Sequence, residues 1–285
     1  MPPAAVVQRP EVPPEEQLLR VIDPEPRIAV RVPPEGVPER AIRQLTLGGI
    51  LGVWAGAALP MGLLAWVVAP LLADGLSGPH ALPRALILTL TAGLIWQFAL
   101  VLALVYREQR TLRWSVLRDV LWLRAPRDPR TGRSSGRVWL VVPALIVAFG
   151  AEELIPSLPH PDSRDLGVFL GSDAGHAFLS GAWGWLAIIG ALVVFNTVLG
   201  EELLFRGLLL PRMNGVFGRR DWLANGVLFA LYHLHMPWVI PATLLDTFII
   251  SYPSRRYRSA LIGIVVHSTQ SIVIFAIALS LVLQG

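Results

Sequence analysis

The residues of this chain with chemistry to offer are ionisable side chains set inside apolar runs: Glu152, Glu153, Glu201, Glu202, Arg206, His233, His235, Asp246 and His267. Inside a bilayer such groups are costly, so each is a functional candidate by default. In Gly200-Glu201-Glu202-Leu203-Leu204-Phe205-Arg206 the second glutamate and the arginine are four apart. They share one helical face and can pair, which lowers the cost of both charges. Glu201 lies about 100° round the helix, free of that partner, where it can face a cavity as a general base. A purely structural ion-pair cluster is the alternative that this segment alone leaves open. His233 closes Phe229-Ala230-Leu231-Tyr232-His233, and Ser271 follows His267 by four, on the same helical face. His235, two residues past His233, points to the other side of a helix and reads as a packing or interfacial residue. Asp246 fits either a helix cap or the site. Glu152 and Glu153 fall roughly 21 Å along their helix and read as interfacial charges.

The elements that must position these groups are membrane helices. Hydrophobic residues make up 54% of the 285, charged residues 15%, and mean hydropathy is +0.57. A water-soluble fold could not hide that much apolar surface. About 20 apolar residues span a bilayer core. Candidate spans are 45–72, 84–106, 138–156, 183–210, 222–238, 239–252 and 259–283, the sixth being short, tilted or fused with the fifth at Pro237 and Pro241. The fold class is therefore all-α, a polytopic transmembrane bundle of about seven spans, plus or minus one. Counted from the nearest basic end, Glu201, His233 and His267 all lie roughly 12–17 Å deep. Three side chains from three helices at one level point to a converging polar site.

Charge gives an orientation. The chain has no Lys, and its 24 basic residues are all Arg. Nine of them fall in 107–137, and others in 211–221 and 253–258, whereas the alternate connections are nearly bare. The positive-inside rule puts the N-terminus in the cytoplasm of what reads as a bacterial plasma membrane. Within the basic connection, Leu112, Val116, Leu117, Val120 and Leu121 share a face, as expected of an interfacial amphipathic helix. Residues 1–43 differ: ten of the 24 prolines lie in the first 40 positions, with no sustained period. They read as a disordered cytoplasmic tail, and 44–285 as the transmembrane domain.

Several chemistries are excluded. There is no Cys, so no thiolate metal site, disulfide or Cys nucleophile. There is no HExxH and no Gly-rich phosphate loop. Gly132-Arg133-Ser134-Ser135-Gly136 matches G-x-S-x-G only formally, with no strand before it. The arginines lack a nucleic-acid module, so the expected partners are membrane lipids and a peptide or membrane-anchored protein substrate.

At these residues the sequence resembles the CPBP intramembrane protease family, which includes CAAX prenyl endopeptidases and bacterial Abi-type proteins. That family's signature is EExxxR, FxxxH and HxxxN on separate membrane helices. Glu201, Glu202 and Arg206 complete the first motif, and Phe229 and His233 the second. The third keeps His267 but has Ser271 in place of Asn. The resemblance covers 183–274, about a third of the chain. It implies an intramembrane endopeptidase with a cytoplasm-facing cavity. Glu201 would activate water, His233 would help hold that water, and His267 with the residue four later would donate to the oxyanion. Glu202, Arg206 and Phe229 would support the site. A metal-free glutamate mechanism is favoured. Zinc on Glu201, His233 and His267, with water as the fourth ligand, is the alternative. A Ser hydroxyl is shorter than an amide, and loss of one oxyanion donor can cost on the order of 10²–10³ in rate. A catalytically weak or inactive scaffold or partner-binding protein of the same family is therefore the competing reading. Ion transport is weaker still, because the sequence lacks the paired broken helices of many transporters.

Overall fold

The computed structural model describes residues 42–76 and 80–285. The tail expected over 1–43 lies, up to residue 41, outside them. Among the described residues the protein is helical throughout, with no β-strand. Four expected spans form helices long and apolar enough to cross a membrane: Leu47–Gly75 (α1), Ala81–Gln109 (α2), Trp183–Arg212 (α7) and Ala260–Val282 (α10). The other three expected spans are shorter or interrupted. Residues 138–156 give Val142–Gly150 (α4) between two 3₁₀ turns. Residues 222–238 give Asp221–Tyr232 (α8) and a 3₁₀ turn, His233–His235. Residues 239–252 give a single turn and a π segment, Thr247–Ser251, that leads into Tyr252–Tyr257 (α9). Proline sets several of these breaks. Pro143, Pro237, Pro241 and Pro253 each stand in the first turn of a new element, where the missing N–H costs nothing.

The basic connection holds Trp114–Val120 (α3), inside the stretch expected to be amphipathic. Val116, Val120 and Leu121 are buried in the main core with Ile50, Val105 and Leu208, while Leu112 and Trp114 stay exposed. Arg212 ties this end together. It reaches Glu108 on α2 at 2.8 and 3.0 Å and the carbonyls of Val120 and Leu208 at 3.1 and 2.9 Å. Ser259 donates to the Arg124 carbonyl (2.6 Å), and Ala260 N–H to that of Trp122 (2.9 Å), which fixes the start of α10.

At the opposite end, residues 157–182 carry two short helices, Leu166–Leu170 (α5) and Asp173–Leu179 (α6). Asp165 caps α5 through the amides of Gly167 and Val168. His160 stacks on Trp238 at 4.7 Å and reaches Asp165 at 2.9 Å. The Leu158 carbonyl, and after it Asp165, holds the imidazole above its ordinary pKa. Large apolar side chains such as Leu59, Leu71, Ile272 and Val273 are exposed along the long helices, as a lipid-facing surface requires.

Candidate active site

The centre of the molecule is built on α7, which is not a regular α-helix. It widens into two π segments, Phe195–Glu201 and Leu203–Leu209. π turns in long helices mark functional sites because they re-aim side chains within a continuous rod. Gly200 permits the first: a Cβ there would collide with the Phe195 carbonyl oxygen.

Glu202 and Arg206 are fully buried and paired at 2.9 Å. The same carboxylate oxygen, Oε1, also takes His267 Nδ1 at 3.1 Å. Glu202 thus joins α7 to α10, a link the sequence spacing did not reveal. Gly263, one turn before His267, makes room for it, since a Cβ there would strike Glu202 Oε2. Arg206 lies over the Phe229 ring at 4.0 Å, so the motif phenylalanine caps the guanidinium. Phe229 also meets His233 and His267 edge-on at 4.9 and 6.1 Å. His233 Nδ1 lies 3.0 Å from the Phe229 carbonyl and therefore carries its proton. Nε2 is left as the free nitrogen of that ring.

Glu201, His233 and His267 all line one cavity of about 350 Å³, the convergence expected from their common depth. Glu201 is buried and meets the Tyr232 hydroxyl, which also takes a hydrogen bond from Gln97 (2.5 Å). Most of the wall is apolar, including Met61, Leu94, Phe149, Ile189 and Leu192. The exposed lining residues are Glu153, Ser157, Gly167 and Gln270, and no lining residue comes from 107–137, 211–221 or 253–258. The cavity therefore runs toward the Arg-poor end of the bundle.

Four expectations about individual residues change. Ser271 is buried but does not line the cavity, whereas Gln270 does and donates to Glu153 at 3.1 Å. His267, Gln270 and Ile274 form the lining stripe of α10, so the open face is centred on the other side of His267 from Ser271. His235 is not turned away from His233. Because α8 ends at Tyr232 in a 3₁₀ turn, the two rings stack at 5.5 Å and both line the cavity. Glu152 is not an interfacial charge: it is buried in the cavity wall against Asp246. Asn196 lines the cavity too, five residues before Glu201, the spacing a π segment brings onto one face. Among the described residues no three His, Asp or Glu side chains group as metal ligands would.

Among the described residues the chain is thus an all-α bundle that encloses a buried Glu–His cavity. Residues 183–273 match the family model described as Type II CAAX prenyl endopeptidase Rce1-like, which bears out the resemblance read from the three motifs over that segment. No curated protein and no solved structure matches the chain. With its four long apolar helices and this protease-family segment, the chain is an integral membrane protein.

Proposed function

We propose that this protein is an intramembrane endopeptidase that hydrolyses membrane-associated peptides with water activated by Glu201. The observation that carries the reading is the meeting of Glu201, His233 and His267 in one largely apolar cavity, with Glu202–Arg206 locked behind them. Glu201 takes a proton from water while His233 Nε2 accepts the other hydrogen and aims the oxygen. The resulting hydroxide attacks the peptide carbonyl. His267, held through Nδ1–H by the Glu202 carboxylate, acts as an imidazolium and donates from Nε2–H to the oxygen that gains charge. Collapse of the tetrahedral intermediate passes the proton from Glu201 to the leaving amine, which balances the reaction without a metal.

The cavity's position refines the sequence reading. With the N-terminus taken as cytoplasmic, the Arg-poor end faces away from the cytoplasm, and we take the cavity to open on that side, in place of the cytoplasmic opening the resemblance implied. Depth counted along the helices sets a level, not which end is open.

The test compares membrane proteomes of cells carrying the wild type or Glu201→Ala. Peptides cut only by the wild type support the reading; identical proteomes, with both proteins folded and abundant, remove it. One observation favours the scaffold reading: the position that should hold an amide is Ser271, and it lies outside the cavity lining. Identical proteomes together with a partner retained equally by both proteins would establish it.

A further inference from the structure

The proposed mechanism leaves one amide in the cavity unused. Asn196 stands in the π segment Phe195–Glu201, five residues before Glu201. Residues five apart lie one above the other there, as Gly200 shows: a Cβ on it would collide with the Phe195 carbonyl oxygen. The next such pair is Asn196 and Glu201, and both line the cavity. A contact between helices sets Asn196 near His267 as well. Their chain neighbours, Thr197 on α7 and Ser268 on α10, are joined by a hydrogen bond of 3.4 Å from the Ser268 hydroxyl to Thr197 Oγ1. Thr197 in turn donates to the Val193 carbonyl at 3.3 Å, so this stretch of α7 is held in place. Asn196 thus lies between the proposed base and the proposed oxyanion donor, yet its side chain makes no hydrogen bond among the described residues. Gln270, the other amide side chain of the lining, is turned to Glu153 at 3.1 Å. In a cavity with a mostly apolar wall, an amide without a partner is a cost unless a guest supplies one.

We propose that Asn196 is a catalytic residue, the amide that joins His267 in donating to the substrate carbonyl oxygen as it gains charge. An asparagine amide offers two N–H donors and carries no charge of its own. It has no protein partner to give up at the moment of reaction, which is the property a preorganised donor needs. Ser271, outside the cavity lining, is then not required for this role. The inference rests on the peptidase reading and adds where the second donor stands.

The test uses the full-length protein in nanodiscs and a fluorogenic peptide carrying a sequence cut by the wild type and not by Glu201→Ala. Asn196→Leu keeps the size and removes both donors. It should lower kcat by about 10²–10³-fold with KM little changed. Its unfolding temperature should stay near that of the wild type, because no partner within the fold loses a hydrogen bond. Asn196→Asp, which keeps the shape but as a carboxylate only accepts, should fall at least as far. A third readout would not respond to a merely structural role. With the scissile C=O replaced by C=S, a poorer acceptor, the loss caused by Asn196→Leu should shrink, since both changes remove the same hydrogen bond. An unchanged kcat in Asn196→Leu, an equal loss on the oxygen and sulfur peptides, or a loss that follows earlier unfolding would each overturn the donor role. The peptidase reading would then still stand on the contrast between the wild type and Glu201→Ala. Absence of that contrast removes the peptidase reading and the donor role with it.

Discussion

Glu201 and Glu202 are neighbours in sequence with opposite surroundings. Glu201 faces the cavity and the Tyr232 hydroxyl; Glu202 is buried between Arg206 and His267. Removing one member of a buried pair leaves the other charge uncompensated, at a cost of about 3–5 kcal/mol. Arg206→Ala should therefore lower thermal stability in detergent by that order, while Glu201→Ala should unfold near the wild-type temperature and lose turnover. Equal unfolding temperatures for the two variants would contradict this division of labour. Ser271 allows a second check. An amide placed there adds volume in a packed environment outside the cavity, which costs about 1–3 kcal/mol. Ser271→Asn should thus be less stable and turn over a defined peptide no faster than the wild type. A gain in turnover would put residue 271 back among the oxyanion donors.

At the scale of elements, the site depends on breaks in regular helix. The π segments of α7 turn Asn196 and Glu201 to one side, and the stop of α8 at Tyr232 brings His233 and His235 together. α8 also packs closely on the segment that carries Asp246. Gly226 is the contact point, where a Cβ would run into the Thr247 side chain and backbone. Gly226→Ala must push these elements apart, with an overpacking cost of roughly 1–3 kcal/mol. The variant should unfold earlier in a thermal scan and lose turnover more than expression, because α8 leads directly into His233 and its neighbour carries Asp246. Wild-type stability and turnover in this variant would show that the two elements need no close approach. The cation–π and edge-on contacts of Phe229 act at the same scale, joining α7, α8 and α10 around one ring.

For the whole molecule, the orientation proposed from the arginines and the position of the cavity would together set the side from which substrate arrives. The Arg-rich connections form one end, and the exposed cavity-lining residues Glu153, Ser157, Gly167 and Gln270 lie toward the other. Because the chain has no cysteine, single substitutions report accessibility without background. In intact cells, Ser157→Cys should react with a membrane-impermeant maleimide, whereas Ser134→Cys, in the exposed basic connection, should react only after permeabilisation. The opposite labelling pattern would reverse the orientation and return the cavity to the cytoplasmic side.

Composition and spacing alone pointed to a helical membrane protein, to its apolar segments, to the Glu202–Arg206 pair and to one common depth for Glu201, His233 and His267; Phe229 joined them through the family resemblance. Those properties are local: hydropathy, a 3.6-residue repeat and short motifs are readable wherever the backbone stays helical. The sequence could not show where the backbone leaves that repeat. The 3₁₀ turn after Tyr232 redirects His235, and the π turns of α7 put Asn196 beside Glu201. Nor could it show contacts between elements distant along the chain. Glu152 and Asp246 lie far apart in sequence and meet only because the turn after α4 packs beside the residues leading to the π segment. Ser271 and Gln270 exchanged their expected places because helix rotation is set by packing against neighbours, not by the order of residues along α10.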